Sequence, residues 1–215
     1  MSYIIEYVKT DENSLIKQAQ KGVSSAWEEL VYLYMKDAYN FCLKLTNGNH
    51  NDADDISQSA FIKVYQNLKD FRGDASFKSW LYKIITNLYI NQCKKKKPIS
   101  ISDLPADATF LSPGNERSRQ AGIKDINIED MAEVKSNDNS QVAPPLRAET
   151  GEMTELIKNK INLLPPQQKA VLVMHTYEQM SIKDIAETIG ASYAAVKMNL
   201  SLARRRLLKE LKGYL

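Results

Sequence analysis

The sequence is poor in the side chains that carry most enzyme chemistry. It has two cysteines, Cys42 and Cys93, and two histidines, His50 and His175, in 215 residues. So few cysteines exclude a disulfide scaffold and a multi-cysteine zinc module. The two histidines are too scattered to form the usual metal or nucleophile–base motifs. Eight glycines form no GxGxxG and no GxxxxGK[ST], so nothing argues for a nucleotide site. Long apolar runs are also missing: the longest aliphatic stretch is Ala170 to Met174, far short of a membrane span. The opening MSYIIEYVKTDEN lacks the apolar core of a secretory leader. A cytoplasmic protein without catalytic apparatus, cofactor or metal is expected.

What is present is charge, unevenly placed. The chain as a whole carries +3. Residues 1–100 hold 14 basic and 11 acidic side chains, residues 98–152 hold 5 and 10, and residues 153–215 hold 10 and 5. The middle segment also has five of the seven prolines and a single aromatic, Phe110, so it has little apolar surface with which to offset the entropy of ordering. It reads as a flexible acidic linker over 98–152, with a transient helix near 123–134, between two basic domains at 1–97 and 153–215.

Both flanking domains read as all-α. In the first, Asp11 or Asn13 can cap a short helix ending at Gly22. Ser24 or Ser25 can cap a second, with Trp27, Leu30, Leu33, Tyr34, Ala38, Phe41 and Leu45 at helical spacing until Asn47-Gly48-Asn49. A third helix is predicted over about 52–70 and a fourth from near Ser76 to Pro98. In the second domain, helices are predicted around 154–163, 166–177, 182–189 and 193–211, with Pro165-Pro166 suited to a helix start.

The last two helices carry the clearest signal. Ser181 with Asp184 makes a capping-box pattern, Ile182, Ile185 and Ile189 an apolar face, and Gly190 a stop where positive φ is cheap. Ser192 can cap the next helix, whose apolar set is Val196, Leu200, Leu207 and Leu211. Two short helices around a tight glycine turn form a helix-turn-helix, whose second helix enters the major groove. Lys197, Asn199, Ser201, Arg204, Arg205 and Arg206 are then expected on the exposed face. Cations meet phosphates there, and amides or guanidinium groups meet base edges.

Two further helices have faces that folding does not require. On the third, Ile56, Ala60, Val64 and Leu68 form the core stripe. Asp54, Gln58, Phe61 and Tyr65, with Asp55 and Ile62 beside them, form a neighbouring stripe. Acidic side chains beside aromatics suit protein docking, with the alternative that the aromatics edge the core and the aspartates favour the helix N-terminus. On the fourth, Phe77, Leu81, Ile84 and Leu88 form a core stripe flanked by Trp80, Lys83, Asn87 and Lys94. Cations, an amide and an indole in line suit a nucleic-acid strand, although Trp80 also fits a core position. The preceding loop, Phe71-Arg72-Gly73-Asp74-Ala75-Ser76-Phe77, has aromatics at both ends and a glycine for close approach.

The segments 53–65 (ADDISQSAFIKVY) and 71–84 (FRGDASFKSWLYKI) closely resemble the second conserved region of extracytoplasmic-function (ECF) sigma factors. Residues 163–171 (LLPPQQKAV) and the helix pair 181–211 resemble that family's fourth region. The resemblance covers roughly 12–97 and 153–212. It implies a sigma factor that binds core RNA polymerase (the β′ clamp helices and the β subunit), directs promoter-specific initiation, and is held by an anti-sigma factor.

By the same resemblance, Asp54, Asp55, Gln58, Phe61 and Tyr65 would dock on the polymerase. Phe71, Arg72, Phe77, Trp80, Lys83, Asn87 and Lys94 would contact the −10 element, with the 71–77 loop holding a flipped base and Lys94–Lys97 the phosphates. Ser192, Tyr193, Lys197, Asn199, Ser201, Arg204 and Arg205 would contact the −35 element. Family members often carry basic residues where this chain has Asn199 and Leu202, so promoter sequence does not transfer. A self-sufficient helix-turn-helix regulator would explain 181–206 but neither the acidic–aromatic stripe nor the FRGD loop. A nucleic-acid enzyme would have only Asp54-Asp55 to work with, and a binding scaffold without DNA would leave the basic C-terminal block unexplained.

Overall fold

The computed structural model describes residues 11–96, 147–212 and 214, the side chains of 147–152 excepted. All regular structure among them is helical: α1 (Glu12–Gln20), α2 (Ser24–Thr46), α3 (His50–Asn67), α4 (Phe77–Lys96), α5 (Arg147–Asn162), α6 (Pro166–Thr176), α7 (Ile182–Ile189) and α8 (Tyr193–Leu211). A single 3₁₀ turn, Leu68–Asp70, closes α3. The linker reading and its transient helix near 123–134 lie largely outside the described residues. Helix α5 begins at Arg147, inside the stretch read as linker.

Helices α1 to α4 form an N-terminal lobe in which α2 packs on α1, α3 and α4, and α3 packs on α4. Local chemistry sets the boundaries. Asn47 adopts the left-handed conformation (φ 65) and ends α2, and the Asn49 side chain accepts from the Asp52 N–H to start α3. The stripe expected on α3 is the one found: Ile56, Ala60, Val64 and Leu68 are buried. On α2, Leu30, Ala38, Phe41 and Leu45 are buried, whereas Leu33 is exposed and Trp27 and Tyr34 are half-buried.

The stripe on α4 differs from expectation. Phe77 and Leu81 are buried, but so are Tyr82, Ile85, Thr86, Tyr89 and Ile90, while Ile84 and Leu88 are only half-buried. At 100° per residue the covered arc is far wider than one packing partner gives. The reason is a second partner: α4 packs against α6 and α7 as well as α2 and α3.

Helices α5 to α8 form the C-terminal lobe, with α8 packed on α5, α6 and α7. Pro166 is the first residue of α6. The capping box on α7 is complete: the Ser181 hydroxyl accepts from the Asp184 N–H at 3.1 Å and the Asp184 carboxylate accepts from the Ser181 N–H at 3.3 Å. Gly190 ends α7 in the left-handed region (φ 71), and the Ser192 hydroxyl accepts from the Ala195 N–H to open α8. Ile185, Ile189, Val196, Leu200 and Ala203 join the core, and Leu207 and Leu211 lie at its edge.

Candidate nucleic-acid and polymerase interface

Three surfaces carry the residues singled out by sequence. The first lies on α3. Asp54, Asp55, Gln58 and Tyr65 are exposed, and Phe61 is half-buried. Trp27 of α2 joins them, its ring 5.1 Å from Tyr65 and 6.5 Å from Phe61 in an edge-on contact. A shallow hollow of about 260 Å³ opens beside this trio, between Gly22, Val23 and Ser24 at the α1–α2 turn and Trp27 and Tyr65. The periodicity of α2 assigned Trp27 to the core, and only its neighbours across the lobe mark it as part of a surface. A partly exposed aromatic cluster with carboxylates further along the same helix forms an apolar anchor with an acidic end, which suits a basic partner helix.

The second surface joins the 71–77 loop to α4. The loop is tied down at its start: the Gln20 side-chain amide donates to the Leu68 carbonyl at 3.0 Å and to the Phe71 carbonyl at 2.8 Å. At its end the Ser76 hydroxyl accepts from the Ser79 N–H at 3.1 Å. Gly73 has φ 80, which an L side chain rarely adopts. Phe71, Phe77 and Trp80 form an aromatic triad, with Phe71 4.9 Å from Trp80 and each of them 5.8 Å from Phe77. Phe71 and Trp80 are half-buried and Arg72 is exposed.

Phe77 corrects the sequence reading. It is only 1% exposed and packs on Tyr34 at 5.0 Å, because it is the first helical residue of α4 and points into the lobe. It props Phe71 and Trp80 from inside the lobe.

Beside the triad runs an open groove of about 390 Å³. One wall is Lys63, Asn67 and Asp70; the other is Trp80, Ile84, Asn87, Leu88 and Asn91. Trp80 and Asn87, expected as a line on one helix, thus meet in a cleft with Lys63 and Asn91, which sequence reasoning missed. The signal was available in the helical spacing of Asn87 and Asn91, but Lys63 arrives from α3. Amides and an ammonium beside an indole offer what a base edge and its ring face require.

Lys83 is exposed beside the turn at Gly190, where a Cβ would lie 3.6 Å from its Nζ. Lys94 and Lys95 are exposed, whereas Lys96 pairs with Asp52 at 2.6 Å; Lys97 lies outside the described residues.

The third surface is α8. Tyr193, Lys197, Arg204, Arg205 and Arg206 are exposed, Ser201 is half-buried, and Ser192 is an exposed residue whose hydroxyl is engaged as the cap. Asn199 corrects the sequence reading: it is 7% exposed and its amide donates to the Ala195 carbonyl at 2.9 Å. It lies between Val196 and Ala203 on the covered side of α8, so it cannot reach a base edge. Met198 takes the place expected of it, exposed beside Arg205 and able to meet a thymine methyl.

No group of three or more potential metal ligands occurs among the described residues, and no described helix is long and apolar enough to cross a membrane. Burial pushes the Cys42 thiol up to about 12 and raises Cys93 as well, which keeps both as thiols at neutral pH.

Comparison with known proteins connects these surfaces. Residues 30–99 match the model of Sigma-70 region 2, and residues 154–207 match that of Sigma-70, region 4. The ECF RNA polymerase sigma factor SigW of Bacillus subtilis is 30% identical over 197 residues, covering 92% of this chain and 95% of SigW. The chain belongs to the ECF sigma factors of the sigma-70 family. The RNA polymerase sigma-H factor of Pseudomonas aeruginosa is 25% identical, covering 95% of each chain.

Two solved structures share the fold. The sigma factor RpoE in complex with the anti-sigma factor NepR from Bartonella quintana gives a TM-score of 0.53 at 19% identity, covering 86% of this chain and 96% of that one. CnrH in complex with the cytosolic domain of CnrY gives 0.56 at 21%, covering 94% and 99%.

This sigma factor directs promoter-specific transcription initiation as a non-catalytic partner of RNA polymerase. The region 2 match covers the α3 stripe and the 71–77 loop, which a self-sufficient regulator left unexplained.

Proposed function

We propose a division of labour among the three surfaces. The α3 face (Asp54, Asp55, Gln58, Phe61, Tyr65), completed by Trp27, docks on the β′ clamp helices of core polymerase, while the C-terminal lobe meets the β subunit. The groove beside the aromatic triad holds the −10 element: Asn87, Asn91 and Lys63 face base edges, Phe71 and Trp80 stack on an unpaired base, and Arg72, Lys83 and Lys94 follow the phosphates. Helix α8 reads the −35 element through Tyr193, Lys197, Met198, Ser201, Arg204 and Arg205.

Melting needs no bond chemistry. Capturing an unstacked base costs a few kcal/mol. Stacking on an aromatic ring returns about 1–3 kcal/mol. One pocket therefore about offsets one base, and contacts with the whole polymerase supply the rest.

The chain between the lobes acts as an acidic flexible tether between a region 2 domain ending near 97 and a region 4 domain beginning near 153. As a random coil, the roughly 50 residues between α4 and α5 would span about 40 Å r.m.s.. The −10 and −35 elements lie about two duplex turns apart, about 70 Å, which an extended tether reaches. An anti-sigma factor is a further partner. RpoE of Bartonella quintana, which shares the fold, is in complex with the anti-sigma factor NepR, and the acidic–aromatic face of α3 offers this chain a surface for such a partner.

One observation carries this reading: Trp80 lies half-buried in a cleft with Asn87, Asn91 and Lys63, and half-buried Phe71 packs against its ring at 4.9 Å. Permanganate footprinting of the holoenzyme on a promoter tests it. Trp80→Ala and Phe71→Ala are expected to lose reactivity of the unpaired −10 thymines while retaining polymerase binding. Full thymine reactivity in both variants would refute the pocket.

A further inference from the structure

We infer that Asp70 selects the base that stacks on Trp80: an unpaired −10 base carrying an exocyclic amine is held there, and thymine is rejected. This rests on the reading of the groove beside the aromatic triad as the seat of the −10 strand.

Local structure does not account for Asp70. It is the last residue of the 3₁₀ turn that closes α3, where backbone carbonyls carry partial negative charge and disfavour a carboxylate. Its side chain makes no hydrogen bond and no ion pair among the described residues. It also lines a groove assigned to a polyanion, where it repels every phosphate that approaches. Folding gains nothing from a carboxylate there, and unselective DNA binding is weakened by it.

Its place in the groove resolves the conflict. Lys63, Asn67 and Asp70 stand at i, i+4 and i+7 along one wall, and Trp80, Ile84, Asn87 and Asn91 recur at the same spacing along the other. Helices α3 and α4 are antiparallel: at their far ends Gln92 and Lys96 donate to the Asp52 carboxylate. The walls therefore face each other in reverse order, Asp70 with Trp80 at the loop end and Lys63 towards Asn87 and Asn91. One end of the groove is anionic and aromatic, the other cationic. A strand in it sets its phosphates towards Lys63 and away from Asp70, so a base edge and not the backbone meets the carboxylate. The Trp80 ring gives that base a stacking platform, and Phe71, 4.9 Å away, supports the ring.

The polar heads in the groove are free to act. The side-chain amides of Asn87 and Asn91 and the Lys63 ammonium, like Asp70, have no partner among the described residues. Asn67, by contrast, commits its amide to the Lys63 carbonyl at 2.7 Å.

An ionised carboxylate accepts hydrogen bonds and cannot donate. Cytosine, adenine and guanine each present an amine that donates to it. Thymine has no amine, and its one ring N–H sits between two carbonyl oxygens that the carboxylate repels. Selection then comes from repulsion of the wrong base as well as attraction of the right ones.

Fork-junction DNA, single-stranded across the non-template −10 positions, tests this without differences in base-pair melting. Its sequence comes from a start site mapped with the holoenzyme, and each unpaired position is set in turn to A, C, G and T. At one position thymine is expected to weaken holoenzyme binding about fivefold or more relative to the best amine-bearing base. Asp70→Asn, whose amide both donates and accepts, is expected to cut that ratio to within about twofold and to leave the ratios at other positions unchanged. Circular dichroism and affinity for core polymerase report that the variant is folded. A native holoenzyme that tolerates thymine at every position would overturn the inference, as would an Asp70→Asn variant that keeps the native ratio. So would a variant that binds all forks more tightly by one common factor, since that is relief of phosphate repulsion alone. Trp80→Ala binding every fork as the native chain does would refute the groove reading and the inference with it, whereas the Asp70 outcomes refute the inference alone.

Discussion

Lys169 of α6, 1% exposed where the two lobes pack on each other, gives that packed (closed) arrangement a pH dependence whose size can be worked out. With the lobes apart its ammonium should titrate near the ordinary 10.5, and in the closed form it is lowered to about 8. The charged form is thus disfavoured by closure. Between those two values the open form holds more protons, so closure strengthens as pH rises through that window, and the gain is lost as pH falls to about 8.

From pH 7 to pH 9 the linkage relation gives about a tenfold increase in the closed-to-open ratio, about 1.4 kcal/mol. Of the groups facing Lys169, Asn47 and Asn162 do not titrate, and burial raises both Tyr89 and Cys93; the Cys93 thiol contributes with the opposite sign to Lys169, so the comparison is made in a Cys93→Ser background. Lys169→Met keeps an unbranched apolar stem and removes the charge. The full desolvation cost at neutral pH is about 3 kcal/mol. The lost hydrogen bond to Asn47 offsets about 1 kcal/mol, for a net tightening of about 2 kcal/mol. Small-angle X-ray scattering of the full chain reads the closed and open populations. The native protein is expected to compact between pH 7 and pH 9, and the Met variant to be compact and flat across that range. An equally pH-dependent Met variant, or a native chain that expands as pH rises, would refute the reasoning.

Other perturbations separate the surfaces. Phe61→Ala combined with Asp55→Ala should abolish co-purification with core polymerase while leaving helicity intact, and Trp27→Ala alone should weaken that binding through loss of the rings it touches. In α8, Lys197→Ala and Arg204→Ala should each weaken −35 binding and reduce its salt slope by about one unit, measured by fluorescence anisotropy across salt concentrations. Asn199→Ala should leave base preference unchanged, because its amide is committed to the Ala195 carbonyl. Gly190→Ala should destabilise the C-terminal lobe by about 1 kcal/mol through backbone strain at positive φ, visible as a lower unfolding temperature. Its Cβ would meet Lys83 at an ordinary contact distance, so strain and not a clash sets the cost.

The parts of this molecule that sequence reveals are those decided locally. The Ser181–Asp184 box, Gly190 and Ser192 act within a few residues of themselves, and α7 and α8 begin and end where those signals place them. The α3 stripe was also legible, because α3 buries one face within its own lobe. Helix α4 was not, since two lobes cover it: Tyr82, Thr86 and Tyr89 are buried by neighbours far along the chain, leaving Ile84 and Leu88 to edge a groove. Asn199 and Lys169 show the same effect in polar residues. Asn199, expected on the exposed face, is turned inward between Val196 and Ala203, and Lys169 is enclosed by the opposite lobe, which no local pattern announces. Trp27 reads as core from spacing, and becomes a surface ring only once α3 is set beside it.

The most direct measurement is reconstituted transcription with purified core polymerase, with transcript 5′ ends mapped. Adding this protein should produce defined start sites on templates that core alone does not initiate from, and Trp80→Ala should reduce that initiation without reducing polymerase binding. Core polymerase that starts no new transcripts with the folded, inhibitor-free protein present would contradict the account.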